Sequence, residues 1–134
     1  MSTIGHPLSD LCNLLTPYCF AENPPNSALS SRTNAAFYPS ARAPGLPSRA
    51  QCVRWYADVA GWDPRAWVDW GDTFACFRNG VIMQGIAARY ALRQASSAKA
   101  KEIGALMGPY GEFTWALIQR WKEKENEAKE GAKL

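Results

Sequence analysis

Apolar residues recur every three or four positions along most of the chain, and this spacing predicts helices. A first helix is predicted from Leu8 to Thr16, with Pro17 ending it because proline cannot continue the backbone hydrogen bonds. Its apolar face consists of four leucines: Leu8, Leu11, Leu14 and Leu15. No segment alternates apolar and polar residues as a half-buried strand does, so we predict an all-α fold.

The stretch from Ala21 to Pro47 is rich in Pro, Ser, Asn and Ala and has no apolar period. We predict a long loop here, with at most a short helical turn. A loop of this length is uncommon inside a compact domain, so it either marks a functional or variable loop or counts against a self-contained fold.

A second helix is predicted after this loop from its boundary signals. Ser48 is a suitable N-cap, and Gln51 three residues later matches a capping box. Gly61 fits the position just beyond the last turn, and Pro64 ends the segment. The predicted apolar stripe contains Val53, Tyr56, Val59 and Ala60.

Two long helices are predicted next, over Val68–Gln94 and Ala98–Glu127, with Ser96 or Ser97 as N-cap of the second. The broad stripe of the first predicts burial on more than one side: Trp70, Phe74, Phe77, Val81, Ile82, Ile86 and Tyr90. The face of the second contains Ile103, Met107, Tyr110, Thr114, Leu117 and Trp121. Gly108-Pro109 should kink it. We expect these two helices to pack antiparallel, with the two shorter ones covering them.

Composition narrows the possible partners. A length of 134 residues suits one domain, and the net charge of +3 is too small to indicate nucleic acid. A secretory signal requires a positively charged N-terminal region, but no Lys or Arg precedes Arg32. No apolar run approaches the length of a membrane-spanning helix. The mixed charges near the C-terminus are typical of a solvated helix face. Six tryptophans are many for a chain of this length, and their large aromatic surface is expected to lie in a core or an interface.

Few residues carry candidate chemistry. The four cysteines form no C-x-x-C pair and His6 is the only histidine, so we predict thiols of an intracellular protein and no metal site. No glycine-rich phosphate loop and no nucleophile–base set is visible, and His6 suits a structural turn beside Pro7.

The charged residues within apolar segments each have two interpretations. Asp10 is either a first-turn acid that favours the helix dipole or a buried anchor that hydrogen-bonds another loop. Arg78 and Arg89 either extend to solvent or form an internal ion pair, with a contact to an anionic ligand as the less favoured alternative. Capping and solvation at helix ends and turns explain Asp58, Asp63, Asp69 and Asp72.

Three stretches, in this order, resemble the C-terminal part of the aminoglycoside phosphotransferase and choline kinase-like family. They are "STIGHPLSDLCNLL", "GLPSRAQCVRWYADVAGWD" and "FRNGVIMQGIAARYALRQASSAKAKEIGALMGPYGEFTW". The likeness is greatest to the kinase-like domains related to acyl-CoA dehydrogenase fusions. It covers nearly all of the chain except the Pro/Ser loop and the charged tail.

The resemblance implies that residues 1–128 are the C-terminal helical subdomain of a protein-kinase-like fold, followed by a flexible tail at 129–134. The ATP-binding lobe, the catalytic loop and the magnesium-binding acid would then lie upstream, which would make Met1 an internal methionine of a longer protein. The implied function is the substrate-side lobe of an ATP-dependent small-molecule phosphotransferase, inactive alone. ATP and magnesium belong to the full-length family, and the resemblance places no catalytic, cofactor or metal residue in this chain.

Individual residues match the family pattern to different degrees. Asp10 matches the helix-start acid, which would brace the catalytic loop from below, whereas His6 stands where the family more often has Asp. The long-helix pattern is matched by Arg78, Gln84, Gly85, Ile86 and Arg89. Because C-terminal helices wall the family's substrate cleft, Trp70, Arg78 and Gln84 are candidate cleft residues.

Other interpretations remain open. The chain is alternatively a non-catalytic helical module that binds a partner, or a remnant of the fold without a function. The face that would pack on the catalytic loop and its strand, from the first helix and part of the third, should be apolar and exposed, which favours self-association. The ending Ala132-Lys133-Leu134 resembles the Ser-Lys-Leu peroxisomal address, with a cytoplasmic location as the alternative.

Overall fold

A computed structural model describes residues 5–23 and 27–131, and within them the secondary structure is helical, without strands. The α-helices are α1 (Pro7–Glu22), α2 (Ser27–Ser30), α3 (Arg49–Ala60), α4 (Val68–Ala91), α5 (Ala100–Gly104) and α6 (Met107–Gly131). Two 3-10 turns, Ala35–Phe37 and Pro39–Ala41, lie between α2 and α3. The predicted all-α fold is confirmed.

Helix α1 continues past Pro17 to Glu22, so the prediction that Pro17 ends the helix is wrong. Pro17 provides no N–H for the carbonyl of Asn13, but Asn13 is exposed and water can take the place of that donor. The last turn is stabilised because Tyr18, Cys19 and Phe20 are buried. Burial of apolar side chains therefore outweighs the single lost hydrogen bond.

The segment predicted as a long loop is more structured than expected. Its residues take part in the end of α1, in α2 and in the two 3-10 turns. Leu29 is buried, and the ring of Phe37 meets that of Tyr18 edge-on at 4.9 Å between centroids. The Tyr18 hydroxyl donates to the carbonyl of Pro47 at 2.9 Å. Apolar anchors spaced along the segment fix it to α1, although they do not form a helical period.

The boundary signals of α3 are confirmed. Ser48 Oγ accepts the Gln51 N–H, and Gln51 Oε1 accepts the Ser48 N–H, both at 3.1 Å. Gly61 ends the helix in the left-handed region at φ 65°, where a glycine avoids the steric cost of a Cβ. The predicted stripe holds only in part, because Val53 is buried whereas Val59 is 90% exposed.

The chain divides into two compact units, which meet in sequence at Ala75 and Cys76 inside α4. The core of the first unit joins α1, α3 and the start of α4. Its buried members are Leu8, Leu11, Cys12, Leu15, Tyr18, Val53, Val68 and Ala75.

In the second unit, α4 runs antiparallel to the α5–α6 segment. Gly80 faces Tyr110, and Ala87 faces Gly104, so residue numbers rise on one side as they fall on the other. The expected antiparallel packing is therefore present within this unit. Its buried residues include Ala100, Leu106, Phe113, Thr114 and Leu117.

The predicted helix over Ala98–Glu127 is two helices, α5 and α6, instead of one kinked helix. Pro109 is the third residue of α6, a position where the missing N–H costs nothing because no intrahelical acceptor lies before it. The N-cap of α5 is Lys99, whose side chain makes no cap hydrogen bond, so the prediction that Ser96 or Ser97 caps this helix is wrong. Ser97 Oγ instead accepts the Lys99 N–H at 3.2 Å in the turn ahead of α5.

Helix α6 continues through residues 129–131, which were expected to be a flexible tail. The tripeptide Ala132-Lys133-Leu134 lies outside the described residues. None of the helices in the described part of the chain is both long and apolar enough to cross a membrane.

Candidate binding site

The large apolar side chains of α4 point to solvent, contrary to the prediction that this stripe is buried on more than one side. Trp70, Phe74, Phe77 and Val81 are between 40 and 57% exposed. The buried face of the first two turns of α4 instead includes Gly71, Asp72 and Ala75.

Close packing explains why the buried face of α4 carries small residues. A Cβ at Gly71 would overlap the Cys12 sulfur and lie 2.8 Å from Leu8 Cγ. Helix α1 therefore approaches the backbone of α4 itself, and the large rings are left on the opposite side. The three- and four-residue spacing of apolar residues predicts that α4 is a helix, but it does not predict which face of that helix is covered by another helix.

A pocket of about 770 Å³ opens in the first unit, beside the starts of α1 and α4. The described residues that line it are mostly aromatic and include no Asp, Glu, Lys or Arg: Gly5, His6, Leu8, Ser9, Trp62, Trp67, Trp70, Gly71 and Phe74. We refer to it as the aromatic pocket. Its volume is within the range of sites for small molecules.

Ring contacts hold the walls of the aromatic pocket. Trp70 and Phe74, one turn apart on α4, are parallel to within 4° with centroids 5.4 Å apart. Trp62 is met edge-on by His6 at 5.4 Å and by Tyr56 at 6.5 Å. Edge-to-face and offset-stacked pairs are favourable arrangements of aromatic rings, so the walls are formed before any ligand enters.

His6 has a structural role that also sets its hydrogen-bonding capacity. Its Nδ1 accepts the N–H of Leu8 at 3.2 Å and caps α1, in agreement with the predicted turn role. Because Nδ1 is the acceptor, the proton of the neutral ring is on Nε2. His6 therefore presents an N–H donor, and it is the ionisable side chain that lines the aromatic pocket.

The predicted site residues are placed differently from one another. Trp70 lines the aromatic pocket, whereas Arg78 and Gln84 lie in the second unit and are not among its lining residues. Asp10 is exposed in the first turn of α1, which fits the first-turn acid and not the buried anchor. Arg89 is exposed and Arg78 half-buried.

Trp62 and Trp67 are pocket residues that the sequence reasoning missed. The available signal was the concentration of three of the six tryptophans between positions 62 and 70. Trp62 follows the end of α3 and Trp67 directly precedes α4, so both lie outside the bounds of the predicted helices.

Asp72 is the clearest error among the acids, because it is buried and not a solvated cap. It forms an ion pair with Arg49, whose guanidinium also lies 3.5 Å from Glu22. Burial raises the pKa of Asp72 to about 6, although Arg49 and hydrogen bonds from Cys19 and Cys12 act in the opposite direction. Asp72 lies on the same helix face as Val68 and Ala75, which are buried. Its spacing from these residues could therefore have predicted its burial.

The residues at 5–23 and 27–131 contain no group of three His, Cys, Asp or Glu side chains placed to hold a metal ion. All four cysteines fall within these ranges, and none forms a disulfide. No protein-family profile, curated protein or solved structure matches this chain.

Proposed function

We propose that this chain is the acceptor-side helical part of an ATP-dependent small-molecule phosphotransferase and that the aromatic pocket forms part of the acceptor site. The pocket supports the proposal because its volume of about 770 Å³ suits a small molecule. It lies at the start of α1, and the family resemblance implies that the magnesium-binding acid lies upstream of that helix.

In phosphoryl transfer, the groups that neutralise the phosphate charge are separate from those that bind the acceptor, and an aromatic, uncharged pocket suits the acceptor. The reaction depends on positioning and on neutralising the phosphate charge by metal, lysine and catalytic acids. Aromatic walls without charged residues orient an acceptor and exclude water but supply none of that neutralisation. ATP and magnesium would be bound by the upstream lobe that the resemblance implies.

Asp10 has a compatible place in this proposal. Its exposure in the first turn of α1 leaves its carboxylate accessible to a neighbouring loop, as bracing a catalytic loop requires. Trp70 is the candidate cleft residue that lines the pocket, and Arg78 and Gln84 would serve only a more extended cleft.

A second candidate function is a non-catalytic helical interaction module, favoured by the exposed face of α4. Trp67, Trp70, Phe74, Phe77 and Val81 follow one another at steps of three and four residues, and all are at least 40% exposed. This is the spacing of a coiled-coil seam. We call this surface the α4 seam, and a second helix is its natural partner.

The proposal is tested on the protein encoded by the full reading frame that contains this chain. Phosphate transfer from MgATP to small hydroxyl acceptors is measured for that protein and for Trp70→Ala. We expect the KM for the acceptor to rise while the KM for ATP stays unchanged. Trp55→Ala, an exposed tryptophan of α3 that does not line the pocket, is the matched control. Absence of acceptor-dependent turnover would contradict the proposal.

We also propose a peroxisomal location on the basis of Ala132-Lys133-Leu134, which resembles the Ser-Lys-Leu address. A fluorescent protein fused ahead of the chain should be imported, and deletion of Leu134 should return it to the cytoplasm. A cytoplasmic signal with and without Leu134 would refute this location.

A further inference from the structure

We infer that the aromatic pocket binds an uncharged, planar ring compound that carries a hydroxyl group, held by Trp67, Trp70 and Phe74 and hydrogen-bonded by His6. The inference deepens the proposed function and rests on it only in treating the hydroxyl as the phosphate acceptor. The binding itself requires neither ATP nor an upstream lobe, so it can be tested on this chain.

The uncharged lining of the aromatic pocket indicates that its ligand is uncharged. Among the residues that the structure describes, no Asp, Glu, Lys or Arg lines the pocket. A carboxylate, phosphate or ammonium group that left water here would find no opposite charge, and burying an unpaired charge is strongly unfavourable. The part of the ligand that enters the pocket is therefore neutral.

The shape of the walls selects a flat ligand. The rings of Trp70 and Phe74 are stacked and parallel, and a flat ring laid against the outer face of this pair continues the stack. Cations also bind aromatic faces, but a planar ring covers more of this wall than a compact ammonium group does. Trp67, Trp70 and Phe74 are each about half exposed, so such a ligand removes roughly 300 Å² of apolar surface from water.

The imidazole of His6 is the polar group of the lining that we assign to orienting the ligand. The Leu8 N–H occupies His6 Nδ1, so the Nε2–H of the neutral ring is the donor left to bond a ligand. It donates to an oxygen acceptor, and the oxygen of a ligand hydroxyl can accept this bond. The cap on α1 also fixes the imidazole, so the donor is positioned before the ligand arrives.

The experiment is calorimetric titration of the purified chain with 2-naphthol, a neutral two-ring hydroxyl compound. Naphthalene-2-sulfonate and tetramethylammonium serve as the anionic and cationic comparisons. We expect 2-naphthol to bind more tightly than either, and Trp67→Ala to weaken its binding about ten-fold. The matched control Trp55→Ala, another half-exposed tryptophan, should leave the affinity within about two-fold.

A second variant isolates the hydrogen bond. In His6→Asn, the asparagine side-chain oxygen can still cap α1, but the side chain is too short to place an N–H donor where the Nε2–H of His6 lies. We expect it to weaken 2-naphthol binding several-fold while the thermal unfolding midpoint stays close to that of the parent chain. Phe74→Ala repeats the wall test in case Trp67→Ala unfolds.

Three results would overturn the inference, and each leaves the proposed function standing. They are absence of 2-naphthol binding up to its solubility, binding of either charged compound as tightly, and equal weakening by Trp55→Ala. Conversely, the protein encoded by the full reading frame could show no acceptor-dependent turnover while this chain binds 2-naphthol specifically. That result would support the inferred ligand of the aromatic pocket and contradict the proposed phosphotransferase function.

Discussion

At the scale of single residues, Asp72 combines burial with an ion pair. Its side chain is 4% exposed, and its Oδ1 and the Arg49 Nε are both buried without a hydrogen-bond partner among the described residues. A carboxylate held this way gives up more hydration than Arg49 restores, which is why the pKa of Asp72 is raised to about 6. The pair joins α3 to α4, and Glu22 extends it to α1.

The raised pKa of Asp72 leads to a pH-dependent contribution to stability. The folded chain binds this proton more tightly than the unfolded chain, where the pKa is near 3.8. The contribution is therefore complete below pH 3.8 and is lost as the pH rises through about 6. The free energy of unfolding of the parent chain relative to Asp72→Asn should fall by roughly 2 to 3 kcal/mol between pH 4 and pH 7.

Urea denaturation of both proteins at several pH values measures this difference directly. A difference between parent and variant that is independent of pH, or that grows as the pH rises, would contradict the raised pKa of Asp72.

At the scale of helices, the boundary signals of α3 predicted the structure correctly, whereas the apolar period of α4 did not predict which face is covered. The cap of α3 by Ser48 and Gln51 was predictable because all of its partners lie within three residues. The outward direction of Trp70 and Phe74 was not, since it depends on how closely α1 approaches Gly71. The break before α6 and the passage of α1 through Pro17 likewise depend on which neighbouring residues are buried.

Two glycines of the second unit give a matched test of this packing. A Cβ at Gly104 would lie 2.8 Å from the Ala87 Cα and 2.9 Å from the Ala87 nitrogen, and backbone atoms cannot rotate away. Gly104→Ala should therefore lower the free energy of unfolding by about 1 to 3 kcal/mol, despite the better helix propensity of alanine.

Gly111→Ala is the control for Gly104→Ala, because its Cβ meets nothing within 4 Å. It should raise the free energy of unfolding by up to about 1 kcal/mol through helix propensity alone. Thermal or chemical denaturation compares the two variants, and equal effects of the same sign would show that Ala87 does not approach Gly104 as described.

The α4 seam predicts self-association of the isolated chain. Its five large apolar residues are spaced for pairing with a helix, and an exposed apolar patch of this kind is typical of an interface. We expect a concentration-dependent mass in light scattering that Phe77→Lys combined with Val81→Lys reduces to that of the monomer.

Val59→Lys is the control for the seam variant, because Val59 is an exposed apolar residue of α3 that lies off the seam. It should leave the association unchanged. A monomer at all concentrations, or equal effects of Val59→Lys and the seam variant, would exclude the seam as the interface.

At the scale of the whole molecule, the proposed function assigns this chain an acceptor wall and none of the other parts that phosphoryl transfer requires. The reaction needs a loop over the phosphates, a lysine on the nucleotide, and acids that hold the metal and orient the acceptor. The proposed function assigns all of these to a part of the protein outside this chain. We therefore expect no tight binding of MgATP and no ATP consumption by this chain with choline-like or sugar-like acceptors.

Calorimetric titration with MgATP, together with an ATP-consumption assay, measures both properties. Micromolar binding, or turnover that disappears when Asp58, Asp63 or Asp69 is changed to Asn, would show that the chain holds a phosphate site of its own.

The central claim, that this chain is the acceptor-side part of a phosphotransferase, is tested most directly by sequencing the 5′ end of its native transcript. We expect an open frame that continues upstream of Met1 and encodes the two parts that the family resemblance implies: a catalytic loop with a His-Gly-Asp motif, and a magnesium-binding acid in an Asp-Trp-Glu-like motif. An in-frame stop codon just ahead of Met1, with neither motif encoded, would contradict the claim and favour the helical interaction module.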